Sequence, residues 1–301
     1  MKAEFIGRKM NLKDASRIFT SRQLSIVASG DYSLLESVNS LFFSNYYGSV
    51  EDLYSGVYKL CEREYRNEFI YKNVLIDKLL FKIHSPKTSS LITEFRVGNS
   101  KADFVLLNGK SKCYEIKTEY DTLSKLETQV EDYLRVFDDV NIVLHEKHIS
   151  AAFKMLPESV NVYNLQKNNT LTLLQRANNR NYDRFEINIL INSLRLPELK
   201  DICGSLTGES INVNNINIYR HCHQVLASFS DLEIKNEFRK VLKRTRKNDL
   251  NTIESLPSYL LAAVITYKFK KVELKQLIKL FSTLNTVKDA NVFSNIERET
   301  V

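Results

Sequence analysis

The sequence predicts a mixed α/β (α+β) protein, in which a mixed central sheet is flanked by helices and helical regions stand on both sides of it. Three observations carry that expectation. Apolar residues recur at spacings of three and four from Asn11 to about Phe81, the period of amphipathic helices. The pattern then changes to alternation over "SLITEFRVG" (Ser90–Gly98), "ADFVLLN" (Ala102–Asn108) and "KCYEIKTE" (Lys112–Glu119), which is the period of strands. From Thr170 onward it reads almost entirely as helix.

Taken in order, "LKDASRIF" and "YSLLESVNSLFFSNYY" are helices, and "VEDLYSGVYKLCEREYRNEFIYKNVLIDKLLFKI" is one or two longer ones. His84-Ser85-Pro86 closes the helical stretch, because proline cannot continue it. Asn108-Gly109 is a hairpin signal between the second and third strands. "TLSKLETQVEDYLRVFD" is a helix that Asp121 or Thr122 can cap. "VNIVLHE" (Val140–Glu146) is a largely apolar, hence central, strand. "AAFKML" is a short helix ended by Pro157, and "SVNVYNL" is a fifth strand. A three-strand meander followed by a helical crossover gives a mixed sheet. The expected division is a helical region over 1–60, a core over 61–167 and a helical domain over 168–301, with "NNRNYD" (Asn178–Asp183) as the link.

Hydrophobic residues make up 43% of the 301 and charged residues 26%, the balance of a folded globular chain. With only 8 Gly and 4 Pro, long disordered linkers are not expected. The net charge of +7 favours a polyanionic partner, nucleic acid before membrane. Cys61, Cys113, Cys203 and Cys222 are scattered without a CxxC pair, which fits a reducing compartment. The N-terminal stretch lacks the apolar segment of a signal peptide, and no apolar run approaches the roughly 20 residues of a membrane helix. A cytoplasmic location and no membrane partner are therefore expected.

Chemistry concentrates between Lys101 and Asp138. Asp103 lies in the second strand, while Glu115 and Lys117 lie two apart in the third and so on one face. The hairpin makes these strands neighbours, and the register decides whether Asp103 joins that face. Two carboxylates within reach of one hard cation suit Mg²⁺ or Mn²⁺, which take oxygen ligands, and the backbone carbonyl of Ile116 can add another. Lys117 would then stand beside an attacking water and a phosphate. Lys125, Gln129 and Tyr133 are four apart and share one helical face. Taken alone, a Glu-x-Lys on a strand recurs by chance, and the bland reading is a solvent-facing pair.

With Asp103 in strand two and Glu115-Ile116-Lys117 in strand three, this order of elements resembles the PD-(D/E)XK nuclease superfamily, whose core is restriction-endonuclease-like. Ala102 stands where the motif name has proline, a departure common in that superfamily. Gln129 and Tyr133 resemble the Gln-x-x-x-Tyr element of RecB-type nucleases. Tyr65–Asn73, Thr93–Leu106 and Tyr114–Asp138 are similar to a largely uncharacterised bacterial family of nuclease-like proteins, and the likeness covers about Glu51 to Leu165. It implies a fold and a metal site but no settled substrate.

The superfamily also implies that a glutamate on the helix before the sheet completes the metal site, and Glu68 takes that place. Lys72 lies one turn on and can reach phosphate. Glu94 and Arg96 share a face of the first strand, where they either form a supporting ion pair or Glu94 replaces Glu68 as ligand. Gln129 and Tyr133 would position phosphate or brace the site, and Lys125 would touch DNA. The expectation is a Mg²⁺- or Mn²⁺-dependent deoxyribonuclease, an endonuclease leaving 5′-phosphate ends, in phage defence or mobile-element DNA processing. The alternatives are a nucleic-acid or protein binding module on an inactive nuclease fold, and a metal-dependent RNase or toxin. DNA is the expected partner, then RNA, with a homodimer or a partner protein engaged through the helical regions.

Three other stretches compete for attention. His221-Cys222-His223 reads as helix, where neighbours point about 100° apart and cannot close on one ion. "IKNEFRKVLKRTRKN" (Ile234–Asn248) is strongly basic, either a solvated helical face or a phosphate-contacting patch. "LRLPELKDICGSL" (Leu194–Leu206) hints at a helix-turn-helix, although leucine spacing of this kind is usually core packing.

Overall fold

A computed structural model describes residues 10–178, 185–214 and 216–281. The chain forms two compact units, one from residues 1–73 with 251–301 and one from 74–250. The helices after residue 168 therefore divide: those up to Leu250 belong with the sheet, and those beyond join the N-terminal helices. Most of the link expected over Asn178–Asp183 lies outside the described residues.

The first unit is helical. Its longest helix, Val50–Glu64, is capped by Ser49, whose side chain accepts from the N–H of Asp52, and carries its buried face at Leu53, Tyr54, Val57 and Cys61. Tyr65–Asn67 breaks the stretch, and a second helix begins at Glu68 and runs to Ile76. Early and late segments of the chain pack together here: Phe281 packs edge-on to Tyr54 at 5.0 Å, and Tyr54 packs edge-on to Phe19 at 5.5 Å.

The second unit is built on a six-stranded sheet in the order β1 to β6. The strands are β1 (Ser90–Val97), β2 (Ser100–Asn108), β3 (Lys110–Lys117), β4 (Asp139–Leu144), β5 (Asn161–Leu165) and β6 (Leu171–Gln175). The first three form an antiparallel meander. β4 and β5 run parallel to β3, and β6 returns antiparallel. The sheet is thus mixed and flanked by helices.

β6 corrects the expectation of helix from Thr170 onward. "LTLLQ" does not alternate, so its period gave no strand signal. The chain turns back at Asn169, whose φ is 65°, and Gln166 N–H donates to the carbonyl of Thr170. An Asn pair at a turn is what licenses that hairpin.

The core cluster of this unit takes Val105 and Leu107 from β2, Cys113 from β3, and Val140, Ile142 and Leu144 from β4. Leu126, Val130 and Tyr133 of the helix Leu126–Leu134 join it, as do Leu199, Ile202 and Phe238 of the later helices. The Leu194–Leu206 stretch thus packs into the core: its helix, Leu196–Thr207, buries Leu199, Ile202 and Cys203. Asp121 and Thr122 do not cap the Leu126–Leu134 helix. Lys125 stands at its N-cap without a side-chain bond, and Asp121 instead accepts from the N–H and hydroxyl of Thr118.

One irregularity positions the site. Between Thr93↔Phe104 and Phe95↔Ala102 the β1–β2 ladder skips Glu94 and Asp103, and Glu94 has φ 56°. The inward set shifts by one residue in both strands there: Ile92 is followed by Phe95 and Val97, and Ala102 by Val105 and Leu107. A glutamate in the left-handed region is strained by about 1–2 kcal/mol, so the surrounding ladders must hold it.

Candidate functional site

The β2–β3 ladder also ends here. Its last pair is Phe104↔Tyr114, and one further step would set Asp103 across from Glu115. The strands part instead, and the Asp103 carboxylate accepts the N–H of Ile116 at 2.9 Å. A side chain has taken the place of a strand partner, so a buried N–H stays satisfied while the sheet opens.

Glu115 and Lys117 follow Cys113 by two and four residues, so they face the Leu126–Leu134 helix. Lys117 Nζ donates to Glu115 Oε1 at 2.8 Å and to Gln129 Oε1 at 2.9 Å. Gln129 Nε2 donates to Glu115 Oε1 at 2.7 Å, and the Tyr133 hydroxyl donates to Glu115 Oε2 at 2.8 Å. Glu115 is 3% exposed and Lys117 8%, so this is a buried charge pair held in a closed polar network. An ionised carboxylate offers about four acceptor positions, and these partners fill three. Burial, then the charges of Glu115 and Cys113 and the bond to Glu115, push the Tyr133 hydroxyl far above its ordinary value, so Tyr133 acts as a donor. Burial and the charges of Glu115 and Asp103 likewise keep the Cys113 thiol protonated.

Glu94 and Asp103 each present a carboxylate oxygen within 4.8 Å of the other. Both are half-buried, and Glu94 is ion-paired with Lys101. One partner of Glu94 is thus Lys101, the cross-strand neighbour of Arg96, and Arg96 itself is exposed. On the first unit, Glu68 is exposed at the start of its helix and pairs with the buried Lys72 at 2.6 Å. Lys125 is exposed at the N-cap of the Leu126–Leu134 helix, whereas Gln129 and Tyr133 bond Glu115.

Further contributors are not legible in the sequence. Lys101 pairs with Glu94 only because the hairpin register brings it there. Asp132, buried at the helix face, accepts from Asn99 N–H at 3.1 Å and from the Ser100 hydroxyl at 2.6 Å, fastening the β1–β2 turn to the helix that holds Glu115. Gly98, at φ 55°, leaves no room for a Cβ, which would stand 2.5 Å from Asp132 Oδ1. His148 is buried and its ring nitrogen bonds the carbonyl of Thr118 at 2.9 Å, while the His145 N–H donates to the Lys117 carbonyl at 2.8 Å. The stretch after β4 therefore braces the end of β3.

The basic stretch is largely committed to internal pairs. Arg239 bonds Asp138 at 2.8 Å, Arg246 forks onto Glu198 and lies over the Phe95 ring at 4.8 Å, and Arg244 bonds Asp201 at 2.7 Å. The phosphate-patch reading loses Arg239 and Arg246 to the fold, whereas Arg244 stays exposed in its pair. In the Ile218–Leu226 helix Cys222 is buried while its two histidine neighbours are only half-buried.

With this geometry in place, comparison with known proteins is informative about ancestry. The family described as Bacteriophage P4 protein cII matches residues 62–258, well over half of the chain. The chain belongs to the phage P4 protein cII family. Protein cII of Enterobacteria phage P4 is 30% identical over 164 residues, which is 53% of this chain and 60% of the phage protein. The cII match thus spans only about three-fifths of that relative. No solved structure matches. The matched residues of this cII-family chain take in the whole sheet and the helix carrying Gln129 and Tyr133. No described helix is long and apolar enough to cross a membrane.

Proposed function

We propose that this cII-family chain is a divalent-metal-dependent nuclease that hydrolyses DNA phosphodiesters in the cytoplasm, on a PD-(D/E)XK restriction-endonuclease-like core. The observation that carries the reading is the opening of the sheet at Asp103, beside a Glu115–Lys117 pair buried against Gln129 and Tyr133. Buried charges with no packing role concentrate at functional sites.

The donor set fits a hard cation. Asp103 and Glu94 offer neighbouring carboxylate oxygens, and Glu115 keeps one acceptor position. The carbonyl of Ile116 is the further ligand in the proposal. All are oxygens, as Mg²⁺ and Mn²⁺ require. Such an ion supplies charge neutralisation at phosphoryl oxygen and a more acidic bound water. Lys117 then donates to the attacking water or to a phosphoryl oxygen. Gln129 fixes the Lys117 ammonium through Oε1, and Tyr133 keeps Glu115 oriented. Lys125 is assigned to phosphate contact, Arg96 to the rim of the site.

The test is cleavage of supercoiled plasmid with Mg²⁺ and Mn²⁺ by wild type, Asp103→Asn and Lys117→Ala. Cutting by wild type alone is the expected result. Intact plasmid, linear DNA and RNA throughout would remove the enzyme reading. A second reading, a binding module without chemistry, is favoured by one observation: three of the roughly four acceptor positions of Glu115 are already taken by the protein's own donors. DNA retention without cleavage distinguishes it.

A further inference from the structure

We infer that Lys117 and Lys101 are exchangeable counterions: they neutralise Glu115 and Glu94 in the metal-free protein, and a divalent cation taken up by those carboxylates releases them to phosphate. The inference rests on the metal-site reading above and adds how loading of that site is controlled.

A carboxylate that is 3% exposed has lost its hydration, and a cation beside it offsets that cost. For Glu115 that cation is the Lys117 ammonium at 2.8 Å. Glu94, in its strained position, has Lys101. The same arrangement recurs on the first unit, where Lys72 sits 2.6 Å from Glu68. Glu115 and Glu94 therefore each have a lysine on the carboxylate.

Lysine is the cation that suits exchange. It is a compact point charge on a flexible stem, and it can leave one partner for another without losing a fixed fork. An ammonium and a metal ion want the same oxygens, so they compete for Glu115 and Glu94. A displaced ammonium keeps its charge and its position beside the opening of the sheet. A phosphodiester oxygen is the partner that replaces the lost carboxylate. By linkage, nucleic acid then raises the affinity for metal by the same factor by which metal raises the affinity for nucleic acid.

The experiment is a Mn²⁺ titration of the full chain, read by the electron paramagnetic resonance signal of the free ion, for wild type, Lys117→Met and Lys101→Met. Removing the competing ammonium should tighten Mn²⁺ binding at least about tenfold in Lys117→Met. Lys101→Met should tighten it less, because that pair is half in solvent and screened. Adding a phosphorothioate DNA duplex should tighten Mn²⁺ binding to wild type, and fail to do so in the Lys101→Met/Lys117→Met double variant. Unchanged or weaker binding by a folded Lys117→Met would overturn the exchange. Should that variant not fold, Lys101→Met decides, tightening supporting the proposal and no change overturning it. Mn²⁺ uptake by none of the proteins overturns it together with the metal site. Cleavage is read separately: a wild type that shows the exchange but cuts nothing retains this inference and loses only the nuclease, and one that cuts without the exchange does the reverse.

Discussion

Two buried glutamates of the sheet-bearing unit, Glu198 and Glu115, are 2% and 3% exposed, yet they are built in opposite ways. Glu198 opens the helix Leu196–Thr207 and has every acceptor position filled. Arg246 donates through Nε at 2.7 Å and a terminal nitrogen at 2.6 Å, Arg195 through its N–H at 2.9 Å, and Thr245 through its hydroxyl at 3.1 Å. Its cation is an arginine, permanently charged and locked in a planar fork. Glu115 has a lysine, one acceptor position left over and an opened strand edge next to it. A saturated carboxylate under a guanidinium fork is a structural rivet. An unsaturated one under an ammonium is a group that can still change partners.

The largest expected effect lies on the structural side. Arg246→Ala strips the fork from Glu198 and leaves a buried charge, so urea unfolding should show a loss of about 3–5 kcal/mol. A loss under 1 kcal/mol would show that Glu198 protonates or finds water, and the contrast with Glu115 would collapse. The pair also predicts an acid dependence. Burial raises the Glu198 carboxyl, but the Arg246 guanidinium, the Arg195 N–H and the Thr245 hydroxyl outweigh it and hold the group below its ordinary value of 4.5. A lowered folded value means stability present above the unfolded value and lost as pH falls through the folded one. Between neutral pH and the acid limb, wild type should lose more stability than Glu198→Gln.

The next effect falls between the two glutamates. Asp132 is a third buried acid, and it fastens the turn of the hairpin that carries Glu94 and Asp103. Gly98→Ala puts a methyl against that carboxylate at a backbone conformation alanine resists. A loss of about 2 kcal/mol is expected, together with weaker Mn²⁺ uptake if the turn sets the Glu94–Asp103 spacing. Loss of stability with Mn²⁺ uptake unchanged would confine Asp132 to the Glu198 kind.

The Glu115 side of this contrast is legible in the sequence, and the part that is not has a common cause. The meander, the Asn108-Gly109 turn and the face shared by Glu115 and Lys117 follow from periods and turn residues, which are local properties. The facing of Gln129 and Tyr133 follows from helical spacing for the same reason. Lys101 beside Glu94, Asp132 on the Gly98 turn and Arg246 on Glu198 depend on register and on packing between segments 7, 34 and 48 residues apart. β6 was missed because a strand with neither alternation nor a continuous apolar run has no period to read. Arg246, near the C-terminal end of the basic stretch, reads as surface because charge alone does not show its partner.

The smallest effects refine the comparison at its two ends. Tyr133→Phe removes one donor from Glu115 and should cost about 1–2 kcal/mol, less than Arg246→Ala because Lys117 and Gln129 remain. It also frees a second acceptor position, so under the counterion inference Mn²⁺ uptake should not fall. Arg244→Ala tests the opposite limit. Its partner Asp201 is 45% exposed and the arginine 65%, and an ion pair in solvent contributes at most about 0.5–1 kcal/mol. Unfolding within that margin of wild type is expected, with DNA retention unchanged at low salt. Retention that drops, and drops less steeply with added salt than wild type, would mean that Arg244 leaves Asp201 for phosphate, and that exchange of partners is a habit of the exposed cations here as well as of the buried lysine.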